Sequence, residues 1–230
     1  MSKKCNFRTY CLDCDECYNR SFESYDSKTP SGILKKSCWS KKNVKTPREV
    51  GKGSGKKFLF DCPDCKHVFN SPLYSISKGI WCPYCSNKKL CLDDCVQCFS
   101  NSFASHKKSK YWSKKNKKTP RELFKSTNKK FWFDCPYCKH EFNSFLNNVS
   151  KGIWCSYCSN PPQKLCAGDC VHCFSNSFAS NKKFKYWSKK NLKTPRDVFK
   201  VSGKKFWLDC TECNHGFYTS LADVSNGYWC

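Results

Sequence analysis

Hydrophobic positions along this chain come in short alternating bursts, and the same bursts return three times. KKFLFDC, KKFWFDC and KKFWLDC set aromatic and aliphatic residues against lysine and aspartate with the period of a strand that buries one face. Each runs into a C-x2-C turn and a second arm, KHVFNS, KHEFNS or NHGFYT, so the pattern predicts three β-hairpins. SPLYSISKG, SFLNNVSKG and SLADVSNG follow, each offering about one and a half helical turns that stop at Gly79, Gly152 or Gly227. Ahead of the hairpins, TPRE, TPRE and TPRD read as helix starts. Thr46, Thr119 and Thr194 cap, Pro47, Pro120 and Pro195 fill the first helical position, and Glu49, Glu122 and Asp197 reach back from the third. Gly51 and Gly53, Ser126–Asn128 and Gly203 keep these helices short.

The polar stretches repeat as well. Each unit opens on a cysteine cluster: Cys11, Cys14 and Cys17, then Cys91, Cys95 and Cys98, then Cys166, Cys170 and Cys173. SFES, SFAS and SFAS come next with Phe22, Phe103 and Phe178, and then a basic segment carrying Trp39, Trp112 or Trp187. These tryptophans read as core residues of small units rather than as exposed stacking platforms. The expected organisation is three tandem copies: repeat one over 1–88, with a surface-loop insertion at 23–38, repeat two over 89–163, and repeat three over 164–230. Units of this size bury only a modest core, so a staple is expected.

Cysteine spacing supplies the staple. Cys62, Cys65, Cys82 and Cys85 read C-x2-C-x16-C-x2-C, and Cys135, Cys138, Cys155 and Cys158 repeat it unchanged. Cys210, Cys213 and Cys230 are three members of a third copy, whose shortfall reads as truncation. Paired C-x2-C knuckles supply the four soft thiolates of a closed tetrahedral zinc site. The fold class is therefore small metal-stabilised α+β repeats: zinc-ribbon or treble-clef-like hairpins with short helices. The rival for 22 cysteines is a disulfide framework in a secreted protein. MSKKCNFRTY has no apolar signal core and no stretch is apolar enough to span a membrane, which favours zinc in an intracellular, reducing compartment without membrane insertion.

The leading clusters stay open between a second metal and buried thiols or a local disulfide. Each has three thiols and no evident fourth ligand. Cys5 is a candidate in copy one, His106 occurs in copy two alone, His172 in copy three alone, and a neighbouring repeat is a further source. Trp81, Trp154 and Trp229 adjoin the last knuckle and are expected to shield its thiolates from water.

Charge points toward polyanions. The formal net charge is +24, and two four-thiolate zinc sites, each net −2, leave about +20. The cations are lysine with only five arginines, which suits phosphate contact better than bidentate base readout. Lys41 and Lys42, Lys114, Lys115, Lys117 and Lys118, and Lys189 and Lys190 are the candidate nucleic-acid contacts. The expected function is zinc-dependent folding with nucleic-acid binding of little sequence specificity. The alternative is a structural or scaffold protein of a large virus particle, contacting acidic protein surfaces or other virion proteins. Catalysis is not expected, because four protein ligands leave the metal no open position.

W-x3-N-x2-T-P joined to an aromatic strand, a knuckle followed by H-x-aromatic, and a G-x2-C-P-x-C close resemble the tandem zinc-ribbon or treble-clef repeats of large DNA viruses, bacteria and some plants. YWSKKNKKTPRE, KFWFDC, CKHEF and KGIWCSYC carry the likeness in the middle copy. Copies with the leading cluster look most like giant-virus members, which would place the protein in a viral factory or virion. The family has no general assigned activity. Members lacking the second knuckle cysteine keep the histidine, which implies that His67, His140 and His215 could ligate. Here both are present, and the cysteines are favoured, with histidine donating a hydrogen bond from outside the quartet.

Overall fold

The computed structural model describes residues 10, 11 and 13–230. Three antiparallel two-stranded hairpins form its frame: β1 (Lys57–Asp61) with β2 (Val68–Pro72), β3 (Lys130–Asp134) with β4 (Glu141–Phe145), and β5 (Lys205–Asp209) with β6 (Gly216–Ser220). Register follows the alternation read from sequence. Phe60 faces Phe69, Phe133 faces Phe142 and Leu208 faces Phe217 on the inner side, while Leu59 faces Asn70, Trp132 faces Asn143 and Trp207 faces Tyr218 on the outer.

Among the described residues six short α-helices complete it. α1 (Asp15–Arg20), α3 (Val96–Asn101) and α5 (Val171–Asn176) grow out of the leading cysteine clusters, and α2 (Leu73–Ser77), α4 (Leu146–Ser150) and α6 (Leu221–Ser225) follow the hairpins as expected. The second set ends at Gly79, Gly152 and Gly227, whose φ values of 89°, 98° and 98° lie in the left-handed region. Leu73 and Ile76, Leu146 and Val149, and Leu221 and Val224 are buried from this set.

Two expectations need correction. TPRE and TPRD form single 3-10 turns, Pro47–Glu49, Pro120–Glu122 and Pro195–Asp197, rather than α-helices. The capping box is made at Thr46/Glu49 and Thr194/Asp197, but Val50 and Val198 revert at once to extended backbone and are buried, so packing ends the helix after one turn. The insertion in copy one is not simply a surface loop. It folds back through a Lys28–Leu34 bridge and a 3-10 turn at Lys35–Cys38, with Lys35 and Cys38 buried. Tyr25 Oη donates to the Ile76 carbonyl at 2.9 Å, and Lys35 Nζ lies 5.7 Å from the centre of the Trp81 ring. Lys108 and Lys183 cover Trp154 and Trp229 in the same manner, at 4.4 and 4.1 Å.

The described residues form two compact bodies, one reaching to 105 and including 121–124, the other 106–120 with 125–230. The leading cluster and helix of the second repeat thus belong with the first hairpin. In the first body Phe22, Val50, Phe60, Phe69, Leu73 and Ile76 form a core with Cys62 and Cys82, and Trp39 and Trp81 pack on it. In the second, Phe178, Val198, Leu208, Leu221 and Val224 form the corresponding cluster under Trp187 and Trp229. Trp39, Trp112 and Trp187 are half-buried, and each indole N–H donates at 2.9 Å to the carbonyl of Lys45, Lys118 or Lys193. They are packing residues.

Candidate metal centres

Each hairpin turn is built to aim two thiols at one point. The chain passes Cys62, Cys135 or Cys210 and closes a tight turn in which the N–H of Lys66 or Lys139 returns to the carbonyl of Cys62 or Cys135 at 2.9 and 3.0 Å. Lys66, Lys139 and Asn214 take left-handed φ values of 61°, 59° and 56° to close it. The second knuckle arrives behind the post-hairpin helix and its glycine.

The two complete quartets converge. Cys62, Cys65, Cys82 and Cys85 place their sulfurs within 4.8 Å of one another, as do Cys135, Cys138, Cys155 and Cys158. Cys62 Sγ stands 3.6 Å from Cys85 Sγ and Cys65 Sγ 3.5 Å from Cys82 Sγ, and the second quartet repeats 3.6 and 3.5 Å. A disulfide would hold sulfurs about 2.05 Å apart. Four sulfurs bound tetrahedrally at roughly 2.3 Å from zinc stand roughly 3.8 Å apart, close to the spacing here. In the third copy Cys213 and Cys230 approach to 3.2 Å.

The electrostatics fit a cation. Burial pushes the Cys135 thiol up, but the N–H groups of Cys138 and Tyr137 more than offset it and bring it down to about 7. Burial, reinforced by neighbouring thiols, pushes Cys138 and Cys158 to about 12, and burial pushes Cys155 to about 11. In the first quartet Cys62 is lowered in the same way against its burial, while burial raises Cys82 to about 12 and Cys85 further. The N–H groups of Cys213 and Glu212 bring Cys210 down to about 7. Backbone N–H groups favour the thiolate at Cys62 and Cys135, while burial disfavours it at Cys82, Cys85, Cys138, Cys155 and Cys158, where a divalent cation would supply the compensating charge. Zinc fits this donor set.

The leading clusters also gather, with partners the sequence did not single out. His67 comes within 4.8 Å of Cys91, Cys95 and Cys98, and His140 does the same with Cys166, Cys170 and Cys173. The rings of His67 and His140 therefore do not hydrogen-bond their own quartets as expected, because they face the cluster of the following repeat; only the histidine backbone bonds its own knuckle. His106 and His172 are not the missing ligands: His106 Nδ1 accepts from the Lys108 N–H at 3.2 Å, and His172 Nε2 sits 3.0 Å from the Tyr157 carbonyl. Cys11, Cys14 and Cys17 form a three-thiol group, and their expected partner Cys5 lies outside the described residues. His215 is exposed.

Three of the five arginines serve these clusters. Arg48, Arg121 and Arg196, the arginines of TPRE and TPRD, donate from Nη2 to the carbonyls of Cys14, Asp93 and Gly168 at 3.0, 2.9 and 2.8 Å. Arg121 and Arg196 also stand 4.0 and 3.7 Å from Cys91 Sγ and Cys166 Sγ.

A family model described as a probable treble clef zinc finger domain matches residues 33–88 and 109–161. The chain carries treble-clef-like zinc-finger domains in tandem. Both matched segments end on the second knuckle of a complete quartet. An uncharacterized protein of Acanthamoeba polyphaga mimivirus is 37% identical over 164 residues, 64% of this chain and 38% of that protein. This chain therefore spans less than two fifths of the viral relative. Among the described residues no helix is long and apolar enough to cross a membrane.

The eight lysines singled out for polyanion contact, Lys41, Lys42, Lys114, Lys115, Lys117, Lys118, Lys189 and Lys190, are all exposed. Lys115 also pairs with Glu141 and lies 5.3 Å from the centre of the Trp132 ring. The outer-face aromatics Trp132 and Trp207 were missed as surface residues. Their place opposite the inward phenylalanines in the alternation was the available signal.

Proposed function

We propose that this zinc-finger protein binds nucleic acid with little sequence specificity, using the outer faces of its hairpins. The observation that carries the reading is the third hairpin. Trp207 and Tyr218 sit side by side on its outer face with ring centres 5.3 Å apart, and Tyr218 is 55% exposed. Lys190 Nζ lies 4.8 Å from the centre of the Trp207 ring, and Lys190, Lys193, Lys204 and Lys205 line the same open groove. An aromatic platform bordered by point charges suits a base stacked on the ring with its phosphates on the lysines. Trp132, 38% exposed, gives the second hairpin a related face with Lys115. Leu59 takes this place in the first, so stacking strength should grow along the chain.

The arginines favour the same reading. Three of the five arginines, Arg48, Arg121 and Arg196, are occupied with the backbone carbonyls of Cys14, Asp93 and Gly168, which leaves most polyanion contact to lysine, a residue that holds phosphates without reading base edges. The closed four-thiolate sites support a binding role over a catalytic one. Likeness to a mimivirus protein supports a viral factory or virion as the compartment in which such a protein would act.

The test is a mobility-shift titration of zinc-loaded protein against unrelated single strands and duplexes. Affinity should fall with salt by about 0.9 log unit per log unit for each phosphate held on duplex DNA. Charge reversal at Lys190, Lys193, Lys204 and Lys205 should weaken all sequences alike, and Trp207 fluorescence should quench on binding. Undetectable binding at low salt would move the reading to a scaffold acting through protein contacts.

A further inference from the structure

We infer that the knuckle histidine of one repeat and the leading cysteines of the next form a second kind of zinc site, with three thiolates and one imidazole, which clasps the following repeat's first helix onto the preceding hairpin. Among the described residues there are two such sites, His67 with Cys91, Cys95 and Cys98, and His140 with Cys166, Cys170 and Cys173.

The geometry is that of a ligand set. His67 Nε2 lies 3.7 Å from Cys98 Sγ, and His140 Nε2 lies 3.6 Å from Cys173 Sγ. Nitrogen at roughly 2.05 Å and sulfur at roughly 2.3 Å from a tetrahedral zinc stand roughly 3.6 Å apart. Cys98 and Cys173 are buried, and Cys95 and Cys170 begin helices α3 and α5, each accepting the N–H of the third cysteine at 3.4 and 3.5 Å. The helix start thus holds two of the thiols on one side. The site recurs with the same residue types and the same approach in both copies, in surroundings that differ elsewhere.

The imidazole is aimed by the first kind of site. Tyr84 lies between Cys82 and Cys85, and its ring stacks on His67 at 4.0 Å and 11°; Tyr157, between Cys155 and Cys158, stacks on His140 at 4.1 Å and 10°. Folding of the last knuckle onto its quartet therefore fixes the plane of the histidine that reaches the next cluster. Tyr84 and Tyr157 are positioning residues. On the far side, the Arg121 and Arg196 guanidiniums approach Cys91 and Cys166, where they balance the net −1 of three thiolates on a divalent ion.

The test uses the whole chain, reduced and loaded with zinc or with cobalt as a spectroscopic stand-in. X-ray absorption at the zinc edge should show imidazole scattering mixed with sulfur in the wild type. H67A/H140A should lose two tightly held equivalents while the two quartets keep theirs, and those quartets are the internal control for folding. H67C/H140C should restore the two equivalents, with the cobalt d–d bands moved to longer wavelength as sulfur replaces nitrogen. Tyr84→Ala and Tyr157→Ala should speed chelator release from the mixed sites roughly tenfold with little effect on the quartets. An all-sulfur zinc edge in the wild type, or an unchanged metal count and unchanged cobalt bands in H67A/H140A, would overturn the clasp and leave the quartets standing. If H67A/H140A fails to fold, the wild-type edge decides.

Discussion

Gly152 holds φ at 98° with open space where a Cβ would stand, so its constraint is purely one of backbone. Gly152→Ala should cost about 1 kcal/mol in a urea titration of metal-loaded protein, from left-handed strain without a clash. A neutral result would mean that the turn before the second knuckle relaxes freely. Ahead of the third hairpin, the Thr194 hydroxyl and N–H hold the Asp197 carboxyl below its usual range. A depressed carboxylate contributes stability that is fully present above its unfolded value near pH 4 and is lost as pH falls through its folded one. Asp197→Asn should flatten the acid limb of stability in that window, read by denaturant midpoints from pH 5 to 3. The thiols were the most legible residues, because ligand spacing is itself a chemical statement. His67 and Arg121 were not. Their partners lie some thirty residues away, and a single copy of either motif gives no hint of direction.

Among the elements, the hairpins were readable because alternation dictates which face is buried, and the third hairpin kept its register although Gly216 and Tyr218 replace the residues of the other copies. The TPRE turns were readable only in part: the cap signal was right, and the packing of Val50 and Val198 that ends them could not be seen. Asn43, Asn116 and Asn191 stand in the repeated motif, but their role was not legible there. Each uses its amide as a substitute strand. Asn116 Nδ2 donates to the Trp132 carbonyl at 2.8 Å and its Oδ1 accepts the Trp132 N–H at 3.0 Å, and the other two do the same with Leu59 and Trp207. Two bonds to a strand's backbone explain why an asparagine follows the tryptophan at fixed distance in every copy. Asn116→Ala should cost roughly 2 kcal/mol, since it leaves a strand N–H and C=O without partners, and amide exchange at Trp132 should accelerate. Asn116→Asp should keep the accepted bond and lose the donated one.

For the whole molecule the cores are small and the metals carry the fold. Because each thiolate must shed a proton to bind, metal occupancy should be highest above neutral pH and fall as the solution is acidified, protons replacing zinc at the knuckles. Release should be stepwise rather than all at once if the sites are separate. Cys135→Ser should abolish the Cys135/Cys138/Cys155/Cys158 site while leaving the Cys62 quartet formed, read from the cysteine and tryptophan signals of a heteronuclear spectrum; simultaneous loss of both would show a single cooperative unit. The most direct measurement is a zinc titration of reduced, metal-free protein followed by near-ultraviolet circular dichroism and tryptophan emission. Trp39, Trp81 and Trp154 pack on phenylalanines beside the knuckles, so native tryptophan signals should be absent without metal and should grow in proportion to added zinc until at least the two quartets are filled. A full native signal in the metal-free, reduced chain would contradict a metal-held fold.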